Sequence, residues 1–213
     1  MKQFAALVLA AAVSLPAAAG TVSWTNWNGY NGSLTQNGES IGVSYTGNAF
    51  ASDHSAWIYD VPSSFTNAEV SNTPGSNGTL LMTGGNNQIN TIRFSKPVVN
   101  PYIALISVGQ GGVPVSFQFQ NVSSLDVIVQ GPGHWGGGSL SASGTTVTGR
   151  EGNGVVRLNG VYSEISFLTP NYEYYYGATV GAAVTAVPEA ETWAMLGLGL
   201  GALGFFARRR KAA

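Results

Sequence analysis

The sequence predicts an all-β fold, a single jelly-roll-like β-sandwich between two short apolar end segments. Three observations point that way. Apolar and β-branched runs recur between residues 20 and 186, several with period two. No stretch in that region keeps a helical period. Asn-Gly pairs recur, among them those that begin at Asn28, Asn31, Asn37, Asn77 and Asn159, and both residue types tolerate the positive φ of tight turns. Without a repeat near forty residues a propeller is disfavoured, and a closed barrel remains the alternative.

The runs justify strands in order. Residues 41–45 alternate, and 56–60 and 79–83 are short apolar runs. Residues 88–94 alternate less cleanly, and 113–119 alternate strictly after Pro114. Residues 91–102 read as a strand, a Pro-bounded turn and a strand. Further strands fall at 125–129 and 161–168, which completes a set of ten or more. Tyr172, Tyr174 and Tyr176 share one face of a final strand, a tyrosine ladder by the two-residue side-chain period.

Composition excludes several functions. No cysteine is present among 213 residues, so disulfides, thiol catalysis and Cys-ligated zinc are ruled out. Charged residues make up 9%, against roughly 25% in an ordinary soluble domain. Between residues 20 and 186 only Arg93, Lys96, Arg150 and Arg157 oppose Asp53, Asp60, Asp126, Glu39, Glu69, Glu151, Glu164 and Glu173. This weakly acidic surface offers nothing to nucleic acid.

The ends read as targeting segments. Lys2, an apolar run over 4–13 and the small residues Ala17 and Ala19 form a signal peptide over 1–19, with cleavage before Gly20. At the other end, 193–207 carry no charge, and Arg208, Arg209, Arg210 and Lys211 follow. Fifteen helical residues span about 22 Å, short of a ~30 Å hydrocarbon core. Snorkelling arginines and interfacial Trp193 make up part of that gap. The basic cluster predicts a cytoplasmic C-terminus and an outward-facing domain. Gly199 to Gly204 spell G-x-G-x-x-G, but no strand precedes them and no acidic residue follows at the required distance.

Val187-Pro188-Glu189, the Trp193-containing apolar helix and the terminal arginines together resemble the PEP-CTERM sorting tail of exported Gram-negative proteins, over 187–213. Ala190 stands where that family usually has a second proline. The resemblance implies recognition and cleavage by an exosortase-like enzyme. It also implies transient anchoring in the inner membrane, then sorting to the envelope, outer surface or extracellular matrix. Residues 91–102 and 149–156 further resemble the β-sandwich region of many exported PEP-CTERM proteins, which carries no catalytic residues to transfer.

Chemistry within the domain is sparse. Asp53-His54-Ser55 are adjacent, and neighbours on a strand point to opposite faces, which is unsuited to a triad. Glu151, in a Gly-flanked turn, is the best single carboxylate for a polysaccharide hydrolase, which would need a second one within reach. Asp53, Asp60 and Glu151 with nearby Asn offer oxygens for a structural calcium, although no D-x-D-x-D-G loop exists. No other cofactor is expected. Carbohydrate binding has the better physical case: His134 and Trp135 sit in the loop 131–138, where few side chains can bury an indole. Trp135 and the tyrosine ladder are therefore the candidate ligand contacts, with exopolysaccharide the expected ligand. Trp24, Trp27 and Tyr30 form a second aromatic group, expected in the core or at an edge. The expectation is a non-enzymatic, biofilm- or envelope-associated protein, with a carbohydrate-binding module and a hydrolase as alternatives.

Overall fold

The computed structural model describes residues 20–184, so the expectations for the signal peptide and the sorting tail lie outside the described residues. In chain order the strands are β1 (Val22–Trp24), β2 (Asn26–Asn28), β3 (Asn31–Gln36), β4 (Glu39–Thr46) and β5 (Ala51–Asp53). Next come β6 (Thr79–Gly84), β7 (Asn90–Val99), β8 (Tyr102–Val108), β9 (Val115–Phe119) and β10 (Ser124–Gly131). The last are β11 (Leu140–Ser143), β12 (Thr146–Gly149), β13 (Gly152–Asn159), β14 (Val161–Leu168) and β15 (Tyr172–Ala183). They form two antiparallel sheets. One has the order β10-β13-β8-β15-β6-β5, with β1 also on β15; the other runs β11-β12-β9-β14-β7-β4-β3-β2.

From β6 onward the chain crosses between sheets repeatedly, and later strands return beside earlier ones. Thus β15 inserts between β6 and β8 while β14 inserts between β7 and β9. Two sheets with free edges exclude the closed barrel. The main core lies between them and includes Leu80, Met82, Ile92, Leu105, Phe117, Ile165, Phe167 and Tyr176. Phe117 meets Phe167 at 5.4 Å and the edge of Tyr176 at 5.5 Å, the tilted and edge-on arrangements that aromatic rings prefer.

A second apolar layer covers the outer face of the β8 sheet. Ile58, Tyr59, Phe65 and Val70 pack there against Tyr102, Ala104, Ile106 and Val155. Every residue of β8 is therefore buried. The expected strand at 56–60 is a correction. Ala56–Tyr59 is a 3-10 turn, followed by another at Pro62–Ser64. This apolar run serves as a lid on a sheet face instead of pairing at an edge, and periodicity in so short a run cannot separate the two roles.

Turn chemistry follows the sequence in part. Asn37 and Gly38 both take positive φ in the two-residue β3–β4 hairpin, the conformation of a type I′ turn. Gly29 opens the β2–β3 loop at φ 61°. Asn31-Gly32 departs from expectation: it lies inside β3, where a Cβ on Gly32 would come within 2.6 Å of the Asn26 carbonyl. The expected Pro-bounded turn is also displaced. β7 continues through Pro97, and the turn falls at Asn100–Pro101, with Asn100 at φ 47°. The ladder to β14 jumps from Arg93↔Glu164 to Val98↔Tyr162, and Pro97 lies in that bulge, where no ladder donor is needed.

Candidate functional site

Five segments meet at one end of the β8 sheet, on its outer face. The end of β8 brings Ser107 and then Gln110. The β10–β11 loop brings His134 and Trp135. Glu151 precedes β13, β15 opens with Tyr172 to Tyr175, and the 3-10 turn brings Trp57 and Asp60. Ser107, Gln110, Trp135, Glu151, Glu173, Tyr174 and Tyr175 line an open cleft of about 330 Å³.

Local backbone geometry makes this convergence possible. Ser107 and Glu151 are two of the four non-glycine residues at positive φ among the described residues, at 49° and 61°. Such conformations cost of order 1–3 kcal/mol and collect where structure holds side chains for use. The Ser107 N–H donates to Asn153 Oδ1 at 2.8 Å, which holds the end of β8 against β13. The Trp135 loop presses close to this end of β13. A Cβ on Gly138 would lie 1.5 Å from the Arg150 carbonyl oxygen, so only glycine lets the loop descend this far.

The wall of the cleft is aromatic. Trp135 is half-buried and meets Tyr175 at 4.6 Å and Trp57 at 4.7 Å, both edge-on. His134 lies 4.8 Å from Trp57, and its Nδ1 is 2.7 Å from Asp60 Oδ2. Trp57 is 40% exposed, Tyr172 60% and Tyr174 77%, with the last two rings 6.1 Å apart. Burial, followed by the Asp53 carboxylate 3.5 Å from its hydroxyl, pushes the Tyr175 phenol well above its ordinary range, so it stays a donor.

The floor carries two carboxylates. Glu173 is 3% exposed, and its Oε2 accepts the Gly109 N–H at 2.8 Å. Burial, reinforced by the neighbouring Glu151 charge, raises its pKa to about 7, and the Gly109 N–H partly offsets this. Glu151 Oε1 accepts the Gly111 N–H at 3.1 Å. No lysine or arginine lines the cleft among the described residues.

Several sequence-predicted residues are placed here and one is not. His134, Trp135, Tyr172 and Tyr174 gather at this end, as does Glu151. Tyr176 is a correction: it is fully buried between the sheets against Phe117. The β15–β6 ladder passes from Tyr172↔Gly84 to Tyr176↔Met82, so four steps on β15 face two on β6. That bulge resets the alternation and breaks the three-tyrosine ladder. Trp24 and Trp27 are core residues, and Tyr30 packs tilted on Tyr45 at 5.8 Å. Asp53, His54 and Ser55 do not converge: His54 Nδ1 sits 3.1 Å from the Ser76 carbonyl, while Asp53 accepts the Ser55 N–H. Asp53, Asp60 and Glu151, the offered calcium ligands, have separate partners. No three acidic or histidine side chains form a metal-binding group among the described residues.

Sequence reasoning missed Trp57, Tyr175 and Glu173 as site residues. For Glu173 a signal existed, because a residue between exposed Tyr172 and Tyr174 belongs to the opposite, buried face.

Residues 186–211 match the PEP-CTERM protein-sorting motif, which marks exported proteins sorted by exosortase. No curated protein and no solved structure matches the chain.

Proposed function

We propose that this chain, which carries a PEP-CTERM sorting motif over 186–211, is an exported, non-enzymatic saccharide-binding protein of the cell envelope or extracellular matrix. Its scaffold is read as a jelly roll, from the nested order of β6, β15, β8 and β13 against β7, β14, β9 and β12. The observation that carries the reading is the cleft walled by Trp135, Tyr174 and Tyr175 and flanked by Trp57. Sugar rings present C–H faces that pack on aromatic rings, and hydroxyls that pair with carboxylates, amides and phenols. Gln110, Glu151, Ser107 and the Tyr175 hydroxyl supply such partners beside the wall. An exported protein works among the polysaccharides of the envelope and matrix, and a saccharide of that setting is the proposed ligand.

The test is binding of the purified protein to a glycan panel that includes the producing cell's exopolysaccharide, with Trp135→Ala and Trp57→Ala alongside. Saturable binding that falls about tenfold or more in each variant, with unchanged folding, is the expected result. Hot-spot aromatics at binding surfaces carry losses of that size. Binding indifferent to both tryptophans would remove the cleft from the function.

A hydrolytic reading is favoured by one observation, the pairing of buried Glu173 with Glu151 on the same cleft floor. Glycoside hydrolysis needs two carboxyl groups in distinct protonation states. Appearance of new reducing ends from a bound glycan, absent in Glu173→Gln, would establish it in place of simple binding.

A further inference from the structure

The cleft floor carries two carboxyl groups and no lysine or arginine lines it among the described residues. Glu173 is almost wholly buried and lines the cleft. Its Oε2 takes one backbone N–H, from Gly109. Glu151 stands on the same floor with a single backbone donor. The basic residues of the domain are elsewhere. Arg93 pairs with Glu164, Lys96 with Glu39, and Arg157 with Glu69 and Asp126, while Arg150 is exposed and does not line the cleft. A buried carboxylate left without a cation is costly, and a ligand that brings one is favoured over a neutral ligand. The rim acts in the same sense, because a cation near the faces of Trp135, Tyr174 or Tyr175 is attracted by their π-systems.

We infer that the cleft selects a saccharide bearing a protonated primary amine, a de-N-acetylated amino sugar, whose ammonium group sits between Glu173 and Glu151 under the aromatic wall. This rests on the saccharide-binding reading above and names its ligand class. The ammonium supplies three donors and a charge to the two carboxylates. The sugar ring then lies along Trp135, Tyr174 and Tyr175. An N-acetylated sugar lacks the charge, so its bulkier amide offers the Glu173 carboxyl group only a single neutral donor. Anionic glycans are repelled.

The test measures binding of a glucosamine hexamer, an N-acetylglucosamine hexamer and spermidine to the purified protein, in buffer with EDTA. The glucosamine hexamer is expected to bind about tenfold or more tighter than its acetylated counterpart, as one lost charge-assisted contact would give. That preference is expected to vanish in Glu173→Gln and, independently of whether that variant folds, to weaken in Glu151→Gln. Equal affinity for both hexamers overturns the inference and leaves the saccharide reading intact. Spermidine binding as tightly as the glucosamine hexamer overturns it in favour of an amine site without sugar recognition. Binding that appears only when calcium replaces EDTA overturns it in favour of a metal. If neither hexamer binds while a neutral glycan of the panel does so through Trp135, the inference fails alone. If no glycan binds at all, both fail.

Discussion

The two sheets share strand geometry but not surroundings, as β8 and β9 show side by side. β8 reads Tyr-Ile-Ala-Leu-Ile-Ser-Val and is buried at all seven positions, because the 3-10 turns and the 65–70 segment cover its outer face. β9 reads Val-Ser-Phe-Gln-Phe and alternates buried with partly exposed, because its outer face meets solvent. A sheet buried on both faces loses the alternating signature, whereas one wetted on a single face keeps it. The solvated face is paved with serine, threonine and glutamine and bears an exposed Arg93–Glu164 pair at 2.9 Å. The covered face bears the candidate cleft. Covering a sheet face brings distant loops over one end of it, and that end becomes the place where unlike side chains meet.

The comparison breaks if the outer layer is dispensable. Ile106→Ala, on the covered face, is expected to cost about 2–5 kcal/mol in denaturant unfolding, close to the cost of Leu105→Ala in the main core. A loss under about 1 kcal/mol for Ile106 alone would mean that the 3-10 layer packs loosely. Next in size is a pH effect at the cleft. Glu173 titrates near 7 when folded and nearer the ordinary glutamate value when unfolded. The folded state therefore holds a proton that the unfolded chain has released, and stability falls as pH rises from about 4.5 to about 7. Glu173→Gln is expected to flatten that slope and to be relatively more stable at pH 8, read by unfolding midpoints across the range. The smallest effects belong to the solvated sheet. Ser44→Ala and Arg93→Ala are each expected to shift stability by no more than about 0.5 kcal/mol, since exposed ion pairs contribute little. A larger loss at Arg93 would give that face a role beyond solvation.

Legibility in the sequence follows the same division. Strand β14 falls at 161–168 as read, and β9 and β4 are within two residues of expectation, because one-sided burial writes itself as alternation. The lid at 56–59 was misread as a strand, since a four-residue apolar run looks alike whether it pairs or covers. Of the cleft, the Trp135 loop was legible from its glycines, and Glu151 from its turn. Trp57 and Tyr175 were not, because their meeting depends on a 3-10 turn and on the β15 bulge, neither of which has a periodic signature, while the alternation signal for Glu173 was present but unused. Tyr176 shows the reverse error: strict alternation puts it on the surface, whereas the irregular register between Tyr172 and Tyr176 breaks that alternation and leaves it in the core.

The placement of β15 has a mechanical consequence. Glu173 and Tyr174 lie at its beginning, while its end pairs with β1 through Val22↔Ala183, and the Val184 N–H donates to the Thr21 carbonyl at 2.7 Å. The cleft and the last described residues before the sorting motif are thus at opposite ends of one strand. Under the proposed saccharide-binding reading, a pull between a bound polymer and an attachment through the sorting motif would run along that strand. Its ladders to β8 and β6 lie across the direction of pull, so their hydrogen bonds are loaded together in shear and do not unzip one by one. On that reading β15 would be the tension rod of the domain.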